Sequence, residues 1–197
     1  GFYFGERHAG ASRTLCAATA RLPVTRYTGE ALLAMEIRRR KNQIEIYKID
    51  PFLAELLRQI PASANPDGAA VAEERIYSPP SNGTDTELCA EWKLYVEPGL
   101  RRLFQTATQT VSADLEQLNG DEKSLANRTL RIPGKHADAW LSALNQARLC
   151  IAAKNNFTEA ELSDHLRSPI GSRRDLSLFQ VNLYGFLQEF ILREFEW

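Results

Sequence analysis

A chain of 197 residues is long enough for one domain with a substantial core and short for two. The hydrophobic content of 44% and the charged content of 25% are those of a globular protein, and the formal net charge of −1 argues against a protein that coats nucleic acid through its overall charge. The three cysteines, Cys16, Cys89 and Cys150, are widely spaced, and no two of them form a CxxC motif. This pattern argues against a disulfide framework and favours a protein of the reducing cytoplasm. No apolar run approaches the ~20 residues that a membrane span needs. The composition therefore predicts a cytoplasmic protein without a membrane segment.

The first 34 residues differ from the rest of the chain. They mix Ala, Thr, Ser and isolated Arg without a helical or strand period, and they lack the apolar core of a secretory signal. We expect residues 1–34 to be an N-terminal extension outside the fold, and a single domain over 35–197 that starts at Met35.

A β-hairpin followed by a helix is predicted after Met35. Ile44, Ile46 and Ile49 alternate as a strand does, and the stretch 36–40 can pair with them across a loop at 41–43. The Asp50-Pro51 pair is a strong helix start, because the carboxylate caps free amides and proline is tolerated at the first helical position. We expect this helix to end at Pro61. The Pro-, Ala-, Ser- and Gly-rich stretch at about 61–83 is predicted to be a flexible linker.

Two apolar runs follow the linker. A capping box over 84–87 predicts a helix start, and the proline and glycine at 98–99 predict a break or kink. The first run is predicted to form the inner, buried stripe of its helix: Leu88, Trp92, Tyr95 and Val96. The second run is predicted to lie on one face of the next helix: Leu100, Leu103, Phe104, Ala107, Val111, Leu115 and Leu118.

The C-terminal half is predicted to be mainly helical. Residues 130–133 favour a short strand, 136–154 a long helix, and 158–166 a brief one. The last helix, from about 174 to 195, has a broad apolar stripe, which predicts a central core helix; partial use as a dimer face is the alternative. The fold class is α+β, mainly α: a helical domain with a small N-terminal β-hairpin.

Five segments resemble a family of small bacterial proteins, DUF2017. The segments that carry the resemblance are 35–41, 47–57, 98–104, 139–149 and 183–188. The family is not known for an enzymatic activity. Some members are described as oxidative-stress regulators of transcription, and in actinobacteria the gene often lies beside that of an adaptor for a Clp-type protease. The resemblance therefore implies a regulatory protein.

The sharpest polar feature is the basic run Arg38, Arg39, Arg40 and Lys41. On a strand, Arg38 and Arg40 point to one side and Arg39 to the other. One interpretation is a contact with phosphates or with an acidic partner. The other is an edge strand that charge protects against aggregation.

The cysteines and histidines offer weaker hypotheses. Cys89 and Cys150 are each placed as small core residues; the alternative is a reversible redox pair, which needs Cα atoms within ~7 Å. His136 and His165 each lie near one carboxylate, and such a pair is short of the three or four ligands of a metal site. No nucleophile elbow, P-loop or dinucleotide fingerprint occurs in the sequence.

These features predict a non-catalytic regulatory or adaptor protein that acts by binding another protein. The alternatives are a DNA-linked transcription regulator, redox-responsive in one version, and an enzyme of unknown type. We expect no catalytic residues, metal or cofactor. The expected partner is a protein, with nucleic acid and a homodimer as the other options.

Overall fold

The computed structural model describes residues 35–80, 85–119, 128–163 and 170–195. In these residues three antiparallel strands form one sheet in the order β1-β2-β3, with β1 at Glu36–Arg40, β2 at Gln43–Ile49 and β3 at Arg128–Pro133. The predicted hairpin and the predicted strand at 130–133 are confirmed, and they belong to the same sheet. The predicted extension at 1–34 lies outside the described residues.

The hairpin turn is one residue shorter than predicted. Arg40 pairs with Gln43, so the turn consists of Lys41 and Asn42, and Lys41 has a positive φ of 57°. Gly134 closes this corner, since its amide donates to the Asn42 carbonyl at 2.7 Å. A Cβ on Gly134 would lie 2.5 Å from the Asn42 side-chain oxygen and 2.9 Å from the Phe195 ring, so both side chains would have to move to admit any other residue.

Helices make up most of the remainder of the described residues. Their bounds are Pro51–Arg58 (α1), Ile60–Ser63 (α2), Ala70–Tyr77 (α3), Thr86–Glu91 (α4), Glu97–Leu115 (α5), Ala137–Asn155 (α6), Glu159–Ser163 (α7) and Arg173–Glu194 (α8). A π-helical turn over Trp92–Val96 joins α4 to α5, and single 3₁₀ turns at Glu116–Leu118 and Gly134–His136 flank β3. The fold is α+β and mainly α, as predicted.

The start of α1 is confirmed, and its end differs from the prediction. The Asp50 carboxylate accepts from the Leu53 amide at 2.7 Å, and Pro51 occupies the first helical position. The helix ends at Arg58 rather than at Pro61. Pro61 lies in the first turn of α2, where a missing N–H removes no helical hydrogen bond.

The predicted flexible linker at 61–83 contains the end of α2 and all of α3. Ala72 of α3 is fully buried against Cys150 and Ala153 of α6. The Pro, Ser and Gly residues of this stretch favour a linker, but its alanines are strong helix formers and let a short helix approach its neighbour closely. Residues 81–84 lie outside the described ones.

The main core lies between the inner face of the sheet, α1, the C-terminal half of α5, α6 and α8. Trp140 and Tyr184 are its largest fully buried side chains. The prediction of α8 as the core helix is confirmed by its buried residues Phe179, Leu183, Leu187 and Ile191. Tyr184 joins α8 to α1, because its hydroxyl donates to the Leu56 carbonyl at 2.7 Å.

The stretch from α4 to α5 is where the burial prediction is wrong. The chain stays helical through Pro98, and the break predicted there is replaced by the π turn, in which the Glu97 amide bonds to the Trp92 carbonyl. Proline supplies no amide and crowds the preceding turn, and a local i→i+5 pattern accommodates it. Of the stripe predicted to be inward-facing, Tyr95 is 74% exposed and Leu88 and Val96 are each 38% exposed.

Candidate functional site

The three arginines of the basic run lie on β1, which is an edge strand among the described residues, and Lys41 lies in the hairpin turn. Arg38 donates to Glu36 at 2.8 Å and lies 5.9 Å from the centre of the Tyr47 ring. Arg40 reaches Glu45 at 4.0 Å. The side chains of Arg38 and Arg40 remain 69% and 73% exposed. These two arginines therefore share the outer face of the sheet, as the strand alternation predicts.

Arg39 has a structural role on the opposite side. Its guanidinium donates to the backbone carbonyl of Glu194 at the end of α8 and lies 5.4 Å from the centre of the Phe195 ring. Its Nε donates to the Lys41 carbonyl at 3.3 Å. A cation at a helix C-terminus is favourable, because the free carbonyls there carry partial negative charge. Arg39 therefore ties the hairpin to α8 and is unavailable as part of a continuous basic patch.

Two glutamates neutralise part of the outer face. Glu45 is 3% exposed and accepts from Gln43 at 2.6 Å and from the Tyr47 hydroxyl, and Arg131 lies 3.4 Å away. The hydrogen bond and charge of Lys48, with a smaller contribution from Arg38, lower the pKa of Glu36. The outer face is a network of paired charges, with Arg38, Arg40 and Lys41 at its exposed margin.

The two cysteines of the candidate redox pair lie on different helices, Cys89 on α4 and Cys150 on α6. Cys150 is fully buried, with its Sγ 3.7 Å from the Ala64 carbonyl, and burial raises its pKa. Cys89 is half-buried on α4. Because the thiolate is the reactive form, burial makes Cys150 a packing residue in this state.

His136 belongs to a buried polar cluster that the sequence did not reveal. The ring Nδ1 lies 2.9 Å from Oδ2 of Asp114, and the Trp140 indole N–H donates to the same oxygen at 2.9 Å. Asp114 comes from α5, so the cluster joins α5 to the start of α6. No group of three or more His, Cys, Asp or Glu side chains suited to a metal ion occurs among the described residues.

A polar cleft of about 420 Å³ lies between α5 and the 61–67 segment. Tyr77 and Arg101 stand at one end, and Gln146 is among its other lining residues. Arg101 is engaged by Glu97 at 2.7 Å, by Asp67 at 3.5 Å and by Glu73 at 3.6 Å. This cation is therefore already matched by three carboxylates of the same chain.

We refer to the stretch from the start of α4, through the π turn, to Leu103 as the arm. Its inner side is fixed to the body: the Trp92 indole N–H donates to the Tyr77 carbonyl at 2.9 Å. The Arg101 guanidinium lies 4.1 Å from the centre of the Tyr77 ring, and Phe104 lies 6.1 Å from the same ring, centre to centre. Hydrogen bonding to Glu97 raises the pKa of Arg101, so the guanidinium stays charged. These contacts fix the orientation of the arm.

The outer side of the arm exposes apolar side chains. Tyr95 is 74% exposed, Leu94 65% and Leu103 60%. A side chain at Gly99, which lies between Tyr95 and Leu103, would meet no atom within 4 Å. Exposed large apolar side chains that cluster on one face are typical of a surface that contacts another protein.

Sequence reasoning located the basic run and missed the arm and the Asp114 cluster. Strand alternation placed the arginines correctly. The amphipathic pattern of the arm gave no sign of which helical face is covered. Trp92 and Tyr95 are both aromatic, but the Trp92 indole is bonded to the Tyr77 carbonyl and Tyr95 is 74% exposed. Asp114 lies within an apolar run, and an acid among Val111, Leu115 and Leu118 was the available signal for a buried polar role.

Comparison with known proteins places the chain in one family. The family model described as a domain of unknown function, DUF2017, matches residues 6–194, and so begins upstream of Met35. No curated protein and no solved structure matches the chain. In the described residues no helix is long and apolar enough to cross a membrane. Since the match covers nearly the whole sequence, the chain belongs to the DUF2017 family.

Proposed function

We propose that the protein is a non-catalytic regulatory or adaptor protein that acts by binding other proteins. The observation that supports this proposal is the outer face of the arm, where Leu94, Tyr95 and Leu103 are each at least 60% exposed. Their exposure is a consequence of the inner contacts of Trp92 and Arg101, which hold the arm in one orientation. A fixed apolar surface of this kind suits a protein partner.

The hairpin margin is the second surface in this proposal. Arg38, Arg40 and Lys41 are exposed at one edge of the sheet, and an extended acidic segment could pair with β1 and meet these cations. The proposed setting is the cytoplasm of a bacterium, on the basis of the family resemblance and the absence of a disulfide framework in the sequence.

Affinity capture with the full chain tests the proposal. Wild type, an Arg38→Glu/Arg40→Glu variant and a Leu94→Glu/Leu103→Glu variant are compared in native lysate, with and without nuclease. The expected result is a nuclease-resistant protein that one variant loses and the other retains, since the two surfaces are separate. Circular dichroism and thermal melting confirm that both variants are folded.

Two results would contradict the proposal. Capture of the same proteins by all three chains would show that neither surface selects a partner. Capture that disappears on nuclease treatment, and that only the arginine variant loses, would support the DNA-linked regulator instead, because phosphate contacts depend on those cations.

A further inference from the structure

The outer face of the arm carries exposed apolar side chains and charges of both signs. We propose that it pairs with the arm of a second copy of this chain, in an antiparallel arrangement about a two-fold axis near Glu97. The inference rests on the protein-binding role proposed for the arm and names the partner at that surface. It leaves the hairpin margin free for a different protein.

Tyr95 is the most exposed aromatic side chain on the arm, and Gly99 follows it by four residues, about one helical turn. The space above Gly99 is open, so the packing of this chain does not itself require a glycine there. A mid-helix glycine is unfavourable relative to alanine, and its common use is to let another group approach the backbone closely. Gly99 therefore forms a notch beside a projecting ring.

A two-fold interface uses the same patch on both copies, so that residue i of one meets residue j of the other and the reverse contact also occurs. An axis near Glu97 places the Tyr95 ring of each copy over the Gly99 notch of its partner. Leu94 and Leu103 flank this contact, so the exposed apolar side chains of the arm are covered together.

The charges of the arm differ between its two ends. The N-terminal part carries two acids, Glu87 and Glu91, and one cation, Lys93. The C-terminal part carries Arg102 and Arg101, and Arg101 is already paired with Glu97. Within the described ranges, neither Glu91 nor Arg102 has a side-chain ion pair, although both are exposed. The antiparallel arrangement brings Glu91 of each copy beside Arg102 of the other, which forms two ion pairs. A parallel arrangement would place like charges together, so charge selects the antiparallel one.

Sedimentation equilibrium of the full chain over a wide concentration range tests the proposal. We expect wild type to dimerise. Glu91→Arg alone and Arg102→Glu alone should each raise the dimer dissociation constant about tenfold or more, because each creates two like-charge contacts. The double variant should recover most of the wild-type affinity, since it exchanges the two charges. Arg173→Glu, an exposed reversal on α8, is the matched control and should leave the dimer unchanged.

The notch gives a second measurement. Gly99→Ala should stabilise the helix and weaken the dimer, whereas a merely structural role for Gly99 would leave the dimer unaffected. Melting is measured at a concentration at which the chain is monomeric, so that the two effects are separated.

The inference is overturned if wild type is monomeric throughout, or if the charge reversals leave the association constant unchanged. Loss of a different captured protein from the Leu94→Glu/Leu103→Glu variant, combined with a monomeric wild type, would leave the proposed function standing and remove only the second copy as the partner. A dimer that obeys the charge pattern, with no other protein captured, supports the inference and counts against the adaptor role.

Discussion

The arm and α8 carry similar apolar stripes and end in opposite environments. In α8, Leu183 and Tyr184 are fully buried in the main core. In the arm, Leu94 and Tyr95 are 65% and 74% exposed. The sequence pattern thus shows which face of a helix is apolar, and the packing of the surrounding chain determines whether that face is buried. The uncovered apolar face of the arm is the surface for which a partner is proposed above.

The largest difference is expected when the same tyrosine substitution is made in both regions. Tyr184→Ala removes a fully buried ring and the hydrogen bond to the Leu56 carbonyl, and should lower the free energy of unfolding by about 3–5 kcal/mol. Tyr95→Ala should change it by less than about 0.5 kcal/mol, because that ring is already exposed. Urea unfolding of the full chain at low concentration measures both. A comparable loss in the two variants would show that the arm is part of the core.

A smaller difference is expected for two acids. Asp114→Ala leaves the Trp140 indole N–H without its acceptor, and should destabilise the fold by about 1–3 kcal/mol. Glu91→Ala, on the arm, should change the unfolding free energy by less than about 0.5 kcal/mol. If Asp114→Ala melted at the wild-type temperature, Asp114 would not be a structural anchor between α5 and α6.

Two helical glycines should respond with opposite signs. Gly99→Ala should stabilise the monomer by about 1 kcal/mol, since a Cβ there meets no atom and alanine favours the helix. Gly185→Ala should instead lower the free energy of unfolding, because the new Cβ would lie 3.2 Å from the Arg148 guanidinium carbon. Arg148 is itself held by Gln188 at 2.6 Å, so it cannot easily move away. Equal gains in the two variants would show that Arg148 is free to shift.

The smallest effect concerns acid sensitivity at the connection between α6 and α8. The Thr158 backbone amide, followed by Arg174 and the Thr158 hydroxyl, lowers the pKa of Glu161 from 4.5 to about 2. Because the folded pKa is the lower one, the stabilisation is present above the unfolded pKa and is lost as the pH falls from about 4.5 towards 2. Glu161→Gln should therefore flatten the pH dependence of stability in this window. Carboxyl NMR titration of Glu161 measures the pKa directly, and an ordinary midpoint would contradict this account.

Local sequence signals predicted the elements with strong start and alternation cues. Asp50-Pro51 fixed the start of α1, and the alternating isoleucines of β2 fixed the hairpin, because both depend on neighbouring residues alone. The helix α3 was missed because its stability comes from Ala72 packing on α6, a contact between residues far apart in sequence.

The candidate site was predictable only in part, for the same reason. The alternation of Arg38, Arg39 and Arg40 follows from strand geometry. The contacts of Arg39 with the end of α8 depend instead on where that helix ends in the fold. The exposure of Tyr95 could not be deduced from its spacing, because a buried and an exposed apolar stripe have the same period. What separates them is Trp92, whose indole contacts the body and turns the opposite face outward.

The most direct test of the arm as a partner surface is sedimentation velocity of an equal mixture of two full-length variants, Glu91→Arg and Arg102→Glu. In a dimer of either variant alone, positions 91 and 102 of the two copies would carry the same charge. In the mixed dimer, position 91 of each copy would meet the opposite charge at position 102 of the other. We expect the two variants to be weakly associated or monomeric when separate and to form a mixed dimer when combined. Two chains that remain monomeric in the mixture, or that associate equally well alone and together, would contradict this expectation.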